Sequence, residues 1–115
     1  MPQGSKLLRF WYRAVLASVR VNAPDLTSRQ TAILLSVYLT DPPHTVRGLA
    51  KELGVAKPVV TRALDTMGRF GFLKRKRDEK DKRNVLIQRT VKGAVFLSDF
   101  AELIEVEKNA ESASE

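Results

Sequence analysis

The residues with the clearest chemical capacity are cations, and they gather in the second half of the chain. Residues 74–83 hold seven lysines and arginines among three acids. Just before them, Thr61 and Arg62 are residue types that hydrogen-bond to base edges or phosphates. A basic segment alone is typical of a solvated hairpin. If Thr61 and Arg62 lie on a helix that can reach base edges, the neighbouring basic segment favours binding to a polyanion.

The content of cysteine, histidine and acidic residues argues against an enzyme. The chain has no cysteine and one histidine, His44, beside two prolines, which excludes a thiolate zinc site and a histidine-rich metal cluster. We interpret His44 as a turn residue or a phosphate contact. Asp78, Glu79 and Asp81 alternate with cations, which favours ion pairs over a metal site. The sequence therefore predicts no catalytic residue, metal or cofactor.

Size and charge bound the class of protein. A chain of 115 residues suits one compact domain, and one this small often buries further surface against a partner. The net charge of +7 favours an anionic partner. No apolar run approaches a membrane span and no signal pattern opens the chain, so we expect a cytoplasmic protein.

Apolar periodicity and its stop signals supply the first elements that position these residues. The spacing predicts a helix over residues 6–21 with an unusually broad apolar face. Thr27 and Gln30 form a capping box, in which each side chain accepts a hydrogen bond from the other residue's backbone. The second helix that they begin ends near Leu39, before two prolines.

Two short helices separated by a tight turn come next. Residues 46–53 form the first, with Thr45 as its cap and Gly54 as a left-handed end. The second begins at Lys57, with a proline in its first turn, and Gly71 ends it. This pair is the helix-turn-helix pattern.

A hairpin and a last helix complete the chain. Residues 72–77 and 84–89 are predicted strands with a charged tip between them. Thr90 caps a helix that reaches about Lys108, and the acidic end beyond it is expected to fray. The predicted fold is mainly α with a small β-hairpin wing, in the order α-α-α-α-β-β-α: a winged helix-turn-helix.

The exposed positions of these elements suit duplex DNA. Arg62 can donate two hydrogen bonds to guanine, and Pro58 and Val59 can touch a thymine methyl group. The hairpin can reach the sugar-phosphate backbone and the minor groove. The predicted DNA contacts are Thr45, Arg47, Lys57, Pro58, Val59, Thr61, Arg62, Asp65, Arg69, Arg75, Arg77, Lys80, Lys82 and Arg83.

From residue 26 to about residue 97, the ordered motifs resemble the MarR family of bacterial transcription regulators. The resemblance rests on Leu26-Thr27 with Gln30, Thr45-Val46-Arg47, Leu49-Ala50, Leu53-Gly54-Val55, Lys57-Pro58, Val60-Thr61-Arg62, Ala63-Leu64-Asp65, Gly71-Phe72-Leu73, residues 78–83, and Thr90 with Gly93. It implies a homodimeric regulator, a repressor, on a pseudo-palindromic operator. The second helix of the pair would lie in the major groove, and Lys82 or Arg83 would enter the minor groove. Asp81 matches an aspartate that often pairs with a neighbouring arginine.

The resemblance also implies a division of the chain. Residues 1–25 and 91–108 would be dimerisation helices around a DNA-binding domain at residues 26–90. The acidic, small-residue-rich composition of residues 109–115 separately predicts a flexible tail. The implied dimer interface consists of Leu7, Leu8, Trp11, Val15, Phe96, Phe100, Leu103 and Ile104.

Three features depart from the family pattern. Ala56 replaces a common serine, so the second helix of the pair lacks a side-chain cap worth roughly 1 kcal/mol. Gly48 replaces a capping-box glutamate. Only one C-terminal helix is predicted, so we expect the small-molecule effector site to be reduced or absent.

Two other functions fit the same residues. A winged-helix module that binds protein is compatible with the apolar terminal helices and the acidic end. A DNA-binding protein of replication or partition would carry the same contact surface. A steep fall in duplex affinity with salt separates the first from a DNA-binding protein, and mapping of bound sites in the cell separates the second from a transcription regulator.

Overall fold

A computed structural model describes residues 3–113, in which five helices and one hairpin follow the predicted order. The helices are α1 Ser5–Arg20, α2 Ser28–Leu39, α3 Val46–Leu53, α4 Lys57–Arg69 and α5 Val91–Ala113. The strands are β1 Leu73–Arg77 and β2 Val85–Arg89, which pair antiparallel. The predicted winged helix-turn-helix fold is confirmed. None of the described helices is long and apolar enough to cross a membrane.

The last helix differs from its predicted end. It runs past Lys108 to Ala113. The prediction gave weight to the acidic composition of this end, whereas the glutamates and alanines there are also good helix formers. The predicted fraying of residues 114 and 115 lies outside the described residues.

Local capping explains where α2 and α3 begin and end. The Thr27 hydroxyl accepts from the Gln30 amide at 3.1 Å, and the Gln30 side chain accepts from the Thr27 amide at 2.9 Å, which confirms the capping box. Thr45 caps α3, and Gly54 closes it with a φ of +69°. A left-handed residue without a Cβ turns the chain at once towards α4.

The missing cap at Ala56 is compensated by the backbone. Ala56 makes no side-chain hydrogen bond at the start of α4, as predicted. Pro58 has no amide hydrogen to satisfy, and the Val59 amide donates to the Ala56 carbonyl at 3.0 Å. Two of the usual orphan donors at this helix end therefore need no side chain.

A third extended segment joins the hairpin, which the sequence did not reveal. Thr45 forms an antiparallel bridge with Leu86, and the Ile87 amide donates to the His44 carbonyl at 2.8 Å. The chain before α3 is thereby tied to β2. His44 itself is buried, with its ring nitrogen 3.2 Å from the Thr40 carbonyl, so it is a turn residue packed inward.

The described residues form two compact units, one of residues 26–95 and the other of residues 3–25 with 96–113. In the first unit α2, α3, α4 and the hairpin enclose the core. Its most buried large side chains are Ile33, Leu34, Val37, Leu49, Val60, Leu64 and Met67.

The second unit contains α1 and most of α5. Only Ala14 of α1 is buried, and the broad apolar face of that helix is largely exposed. A groove of about 460 Å³ lies between the two helices, and Leu16 and Leu103 contribute to its lining.

A hydrogen-bonded cluster fixes the start of α5 in the first unit. The Tyr38 hydroxyl donates to the Phe72 carbonyl at 2.7 Å and accepts from the Thr90 amide at 2.9 Å. The Thr90 hydroxyl donates to the Gly71 carbonyl at 2.7 Å and accepts from the Gly93 amide at 2.9 Å. We call these five residues the tyrosine cluster, and Thr90 is the predicted cap of α5.

Gly93→Ala is expected to destabilise the protein by at least about 2 kcal/mol, because its Cβ would overlap the Tyr38 hydroxyl and the Phe72 carbonyl. Urea unfolding measures the change. Gly68→Ala is the matched control, since nothing lies within 4 Å of its added Cβ. That variant should be unchanged or more stable by up to about 1 kcal/mol. Equal stability of the two variants would contradict the packing argument.

Candidate nucleic-acid interface

One face of α4 is directed outward because the opposite face is packed in the core. Val60, Leu64 and Met67 are buried at helical spacing, which leaves Thr61 and Arg62 exposed. The remaining predicted contacts of α4 are also exposed or half-buried: Lys57, Pro58, Val59, Asp65 and Arg69. Among the described residues, the Arg62 guanidinium has no hydrogen-bond or ion-pair partner, so all its donors are available to a ligand.

The first turn of α3 lies beside the hairpin. Thr45 is half-buried, and its hydroxyl accepts from the Gly48 amide at 2.9 Å. A Cβ at position 48 would lie 3.1 Å from that hydroxyl oxygen, so glycine leaves the cap undisturbed. Arg47 is exposed, and its positive charge acts on Asp81 at the hairpin tip.

Strand alternation sorts the basic residues of β1 into two faces. Arg75 pairs with Ile87, which is buried, and Lys76 pairs with Leu86. Because side chains alternate along a strand, Arg75 and Arg77 share the face of Leu73, and the lysines of β1 lie on the other. The predicted set, which includes these two arginines and omits the lysines, therefore selects a single face.

The hairpin tip is ordered by its own acids. The Asp81 carboxylate accepts three hydrogen bonds from Arg83: Nε at 3.0 Å, Nη2 at 2.9 Å and the backbone amide at 3.1 Å. Asp78 accepts from the Lys80 amide at 3.0 Å. The pairing suggested by the sequence is present, and the side chain of Arg83 is still 76% exposed. Lys80 and Lys82 are exposed on the same tip.

Electrostatics at the tip agree with this geometry. The hydrogen bonds from the Arg83 side chain and then its amide lower the pKa of Asp81, and the charge of Arg47 lowers it further. The same carboxylate raises the pKa of Arg83. The tip therefore presents a charged guanidinium held in one orientation by a carboxylate that stays ionised at neutral pH.

The structure shows two contacts on this surface that the sequence did not reveal. Arg75 Nη2 lies 2.7 Å from Asp65 Oδ1, which joins β1 to α4. Arg69 Nη2 donates to the Thr66 hydroxyl at 3.1 Å on the same helix. Opposite charge was the available signal for the first contact. Choosing Asp65 among several nearby acids required the packing of strand on helix.

The ion pair of Arg83 with Asp81 should break only at a pH below the ordinary pKa of an aspartate. The folded pKa of Asp81 lies below its ordinary value of 3.8, so the pair contributes stability above that pH and loses it as the pH falls through the lowered pKa. The Arg83 Nε proton resonance should stay constant from about pH 8 to pH 5 and move only in stronger acid. Asp81→Asn should abolish that movement. A transition centred above 3.8 would show that the pair does not form.

Comparison with known proteins identifies the family to which this chain belongs. The profile of the MarR family matches residues 26–85, more than half of the chain. A mutant of S. aureus MepR superposes with a TM-score of 0.77 at 21% identity, covering 100% of this chain and 86% of that one. A mutant of MarR from E. coli gives 0.72 at 24%, covering 100% and 85%, and an S. aureus MepR–DNA complex gives 0.71 at 20%, covering 96% and 85%. This chain belongs to the MarR family and has its winged helix-turn-helix fold.

Proposed function

We propose that this protein is a transcription regulator, a repressor, that binds duplex DNA as a homodimer. The observation that carries the proposal is the single surface formed by α4, the first turn of α3 and one face of the hairpin. Its exposed cations include Arg47, Arg62 and Arg83, and the solved structures similar to this chain include a protein–DNA complex. We propose that it acts in the cytoplasm, on the nucleoid.

The parts of this surface would contact different features of DNA. In the proposal α4 enters the major groove, where Arg62 can form two hydrogen bonds to guanine. The hairpin tip follows the backbone into the minor groove, whose negative potential attracts an arginine such as Arg83. Lys57, Lys80 and Lys82 would neutralise phosphates without selecting bases.

A second copy is proposed from the exposed apolar face of α1. Leu7 is 73% exposed and Trp11 60%, and Leu8 and Val15 are exposed too. The four predicted interface residues of α5 are half-buried: Phe96, Phe100, Leu103 and Ile104. An apolar face of this extent on a small chain is typical of an obligate interface. Two copies would place two α4 helices one turn of DNA apart, about 34 Å.

Replacement of Arg62 and of Lys82 should separate specificity from affinity. Arg62→Ala is expected to relax preference at one base pair by about 1–3 kcal/mol. Lys82→Ala should weaken binding to all duplexes alike and reduce the slope of log affinity against log salt by about 1. Both are measured on a duplex that the wild type selects from a random library and on its single-base variants. A uniform loss in Arg62→Ala would contradict its assignment to a base contact. An affinity of the wild type that does not change with salt would contradict the phosphate contacts. Failure of the wild type to enrich any duplex would refute DNA as the partner.

The oligomeric state is tested on α1. Light scattering at micromolar concentration should give twice the chain mass of 12.9 kDa for the wild type. Trp11→Glu should give the chain mass, because a buried unpaired carboxylate disfavours the interface. Arg9→Glu, on the same helix and also exposed, should leave the dimer intact. A wild-type monomer with and without DNA would contradict the homodimer.

A further inference from the structure

The exposed face of α4 carries one acid among its cations. Asp65 follows Arg62 by three residues, so both lie on the side of the helix that faces away from the core. A free carboxylate on that side would repel the phosphates that the neighbouring arginines attract. A cationic partner for Asp65 therefore favours the use of this face against a polyanion.

Arg75 supplies that partner from the hairpin. Its Nη2 lies 2.7 Å from Asp65 Oδ1, and the two side chains keep 40% and 47% of their surface exposed. The distance is that of a charge-assisted hydrogen bond. A pair that is half-accessible and electrically neutral contributes no net counterion release when DNA binds.

The strand register shows why the pair also orients the hairpin. Arg75 lies opposite the buried Ile87, in the middle of the five-residue ladder of β1 and β2. An ion pair at this point restrains the hairpin as a unit, because the ladder hydrogen bonds hold both strands together. The contact joins the two elements that carry the proposed base and minor-groove contacts.

Resting on the proposed function, we propose that Arg75 is a positioning residue and not a phosphate contact. It neutralises Asp65 on α4 and fixes the orientation of the hairpin against that helix. Asp65 is, in the same way, the hairpin's anchor and not a base contact. The two residues thus leave the predicted set of direct DNA contacts and become its support.

A double-mutant cycle distinguishes the two roles. The probes are a duplex that the wild type selects from a random library and a scrambled duplex of the same length. Arg75→Ala exposes the Asp65 charge, and we expect about a tenfold loss of affinity for both duplexes. In the Asp65→Asn, Arg75→Ala double variant the repulsion is gone, and nonspecific affinity should return to within about twofold of the wild type. The salt slope of the double variant should equal that of the wild type.

Asp65→Asn alone gives an independent readout on a surface side chain. It frees the Arg75 guanidinium, so nonspecific affinity and the salt slope should both rise, and discrimination between the two duplexes should fall. Lys76→Ala is the matched control, because Lys76 is exposed on the opposite face of the same strand. Adding Asp65→Asn to Lys76→Ala should change DNA affinity only by the effect of Asp65→Asn alone, with no coupling between positions 65 and 76. Circular dichroism is used to check that each variant is folded. If Arg75→Ala is not folded, Arg75→Gln takes its place in the cycle.

The outcomes separate this proposal from the proposed function. Equal losses in Arg75→Ala and the double variant, each with a salt slope lower by about 1, would make Arg75 a phosphate contact and overturn the positioning role. DNA binding as such would then stand. A wild type that binds neither duplex would refute the proposed function and this inference with it.

Discussion

The hydroxyl of Tyr38 is the hydrogen-bonding centre on which the unit of residues 26–95 depends. One oxygen joins α2 to the turn after α4 and to the start of α5, through Phe72 and Thr90. Carbonyls and amides that would otherwise be buried without partners are satisfied there, and each such group costs about 1–3 kcal/mol when unpaired. The close approach is possible only because position 93 is glycine. The packing of α2 against the start of α5, the cap of α5 at Thr90 and the path of the chain after α4 therefore depend on the same group of contacts.

A second constraint acts on the base of the hairpin. Arg89, at the end of β2, donates to the carbonyls of Val37 and Thr40 at 2.8 and 3.0 Å, and its guanidinium lies 5.9 Å from the centre of the Tyr38 ring. A cation at these carbonyls complements the negative end of the α2 dipole. The hairpin thus begins and ends on groups fixed by α2. Orientation of its tip then depends on local pairs such as Asp81 with Arg83.

Much of this arrangement was predictable, because local signals decide it. The capping box of Thr27, the left-handed Gly54 and the cap at Thr90 each act within a few residues, so spacing alone locates them. Contacts between distant segments were not predictable in the same way. The bridge from Thr45 to Leu86 and the hydrogen bonds of Arg89 join segments about 40 and 50 residues apart, and their partners follow only from the packed fold. Apolar periodicity predicts which face of a helix is buried but not which element packs against it.

The arginines of the candidate interface differ in whether a carboxylate holds them. Arg83 and Arg75 each have a carboxylate partner, whereas Arg62 has none among the described residues. A paired guanidinium has a fixed direction and adds less net charge, while an unpaired one keeps every donor for a ligand. The net charge of +7 already subtracts these carboxylates, so it is the gross count of 20 lysines and arginines that overstates the positive charge free for a ligand. Asp65, Asp78 and Asp81 act as orienting groups, so a basic segment that also contains acids still presents exposed cations.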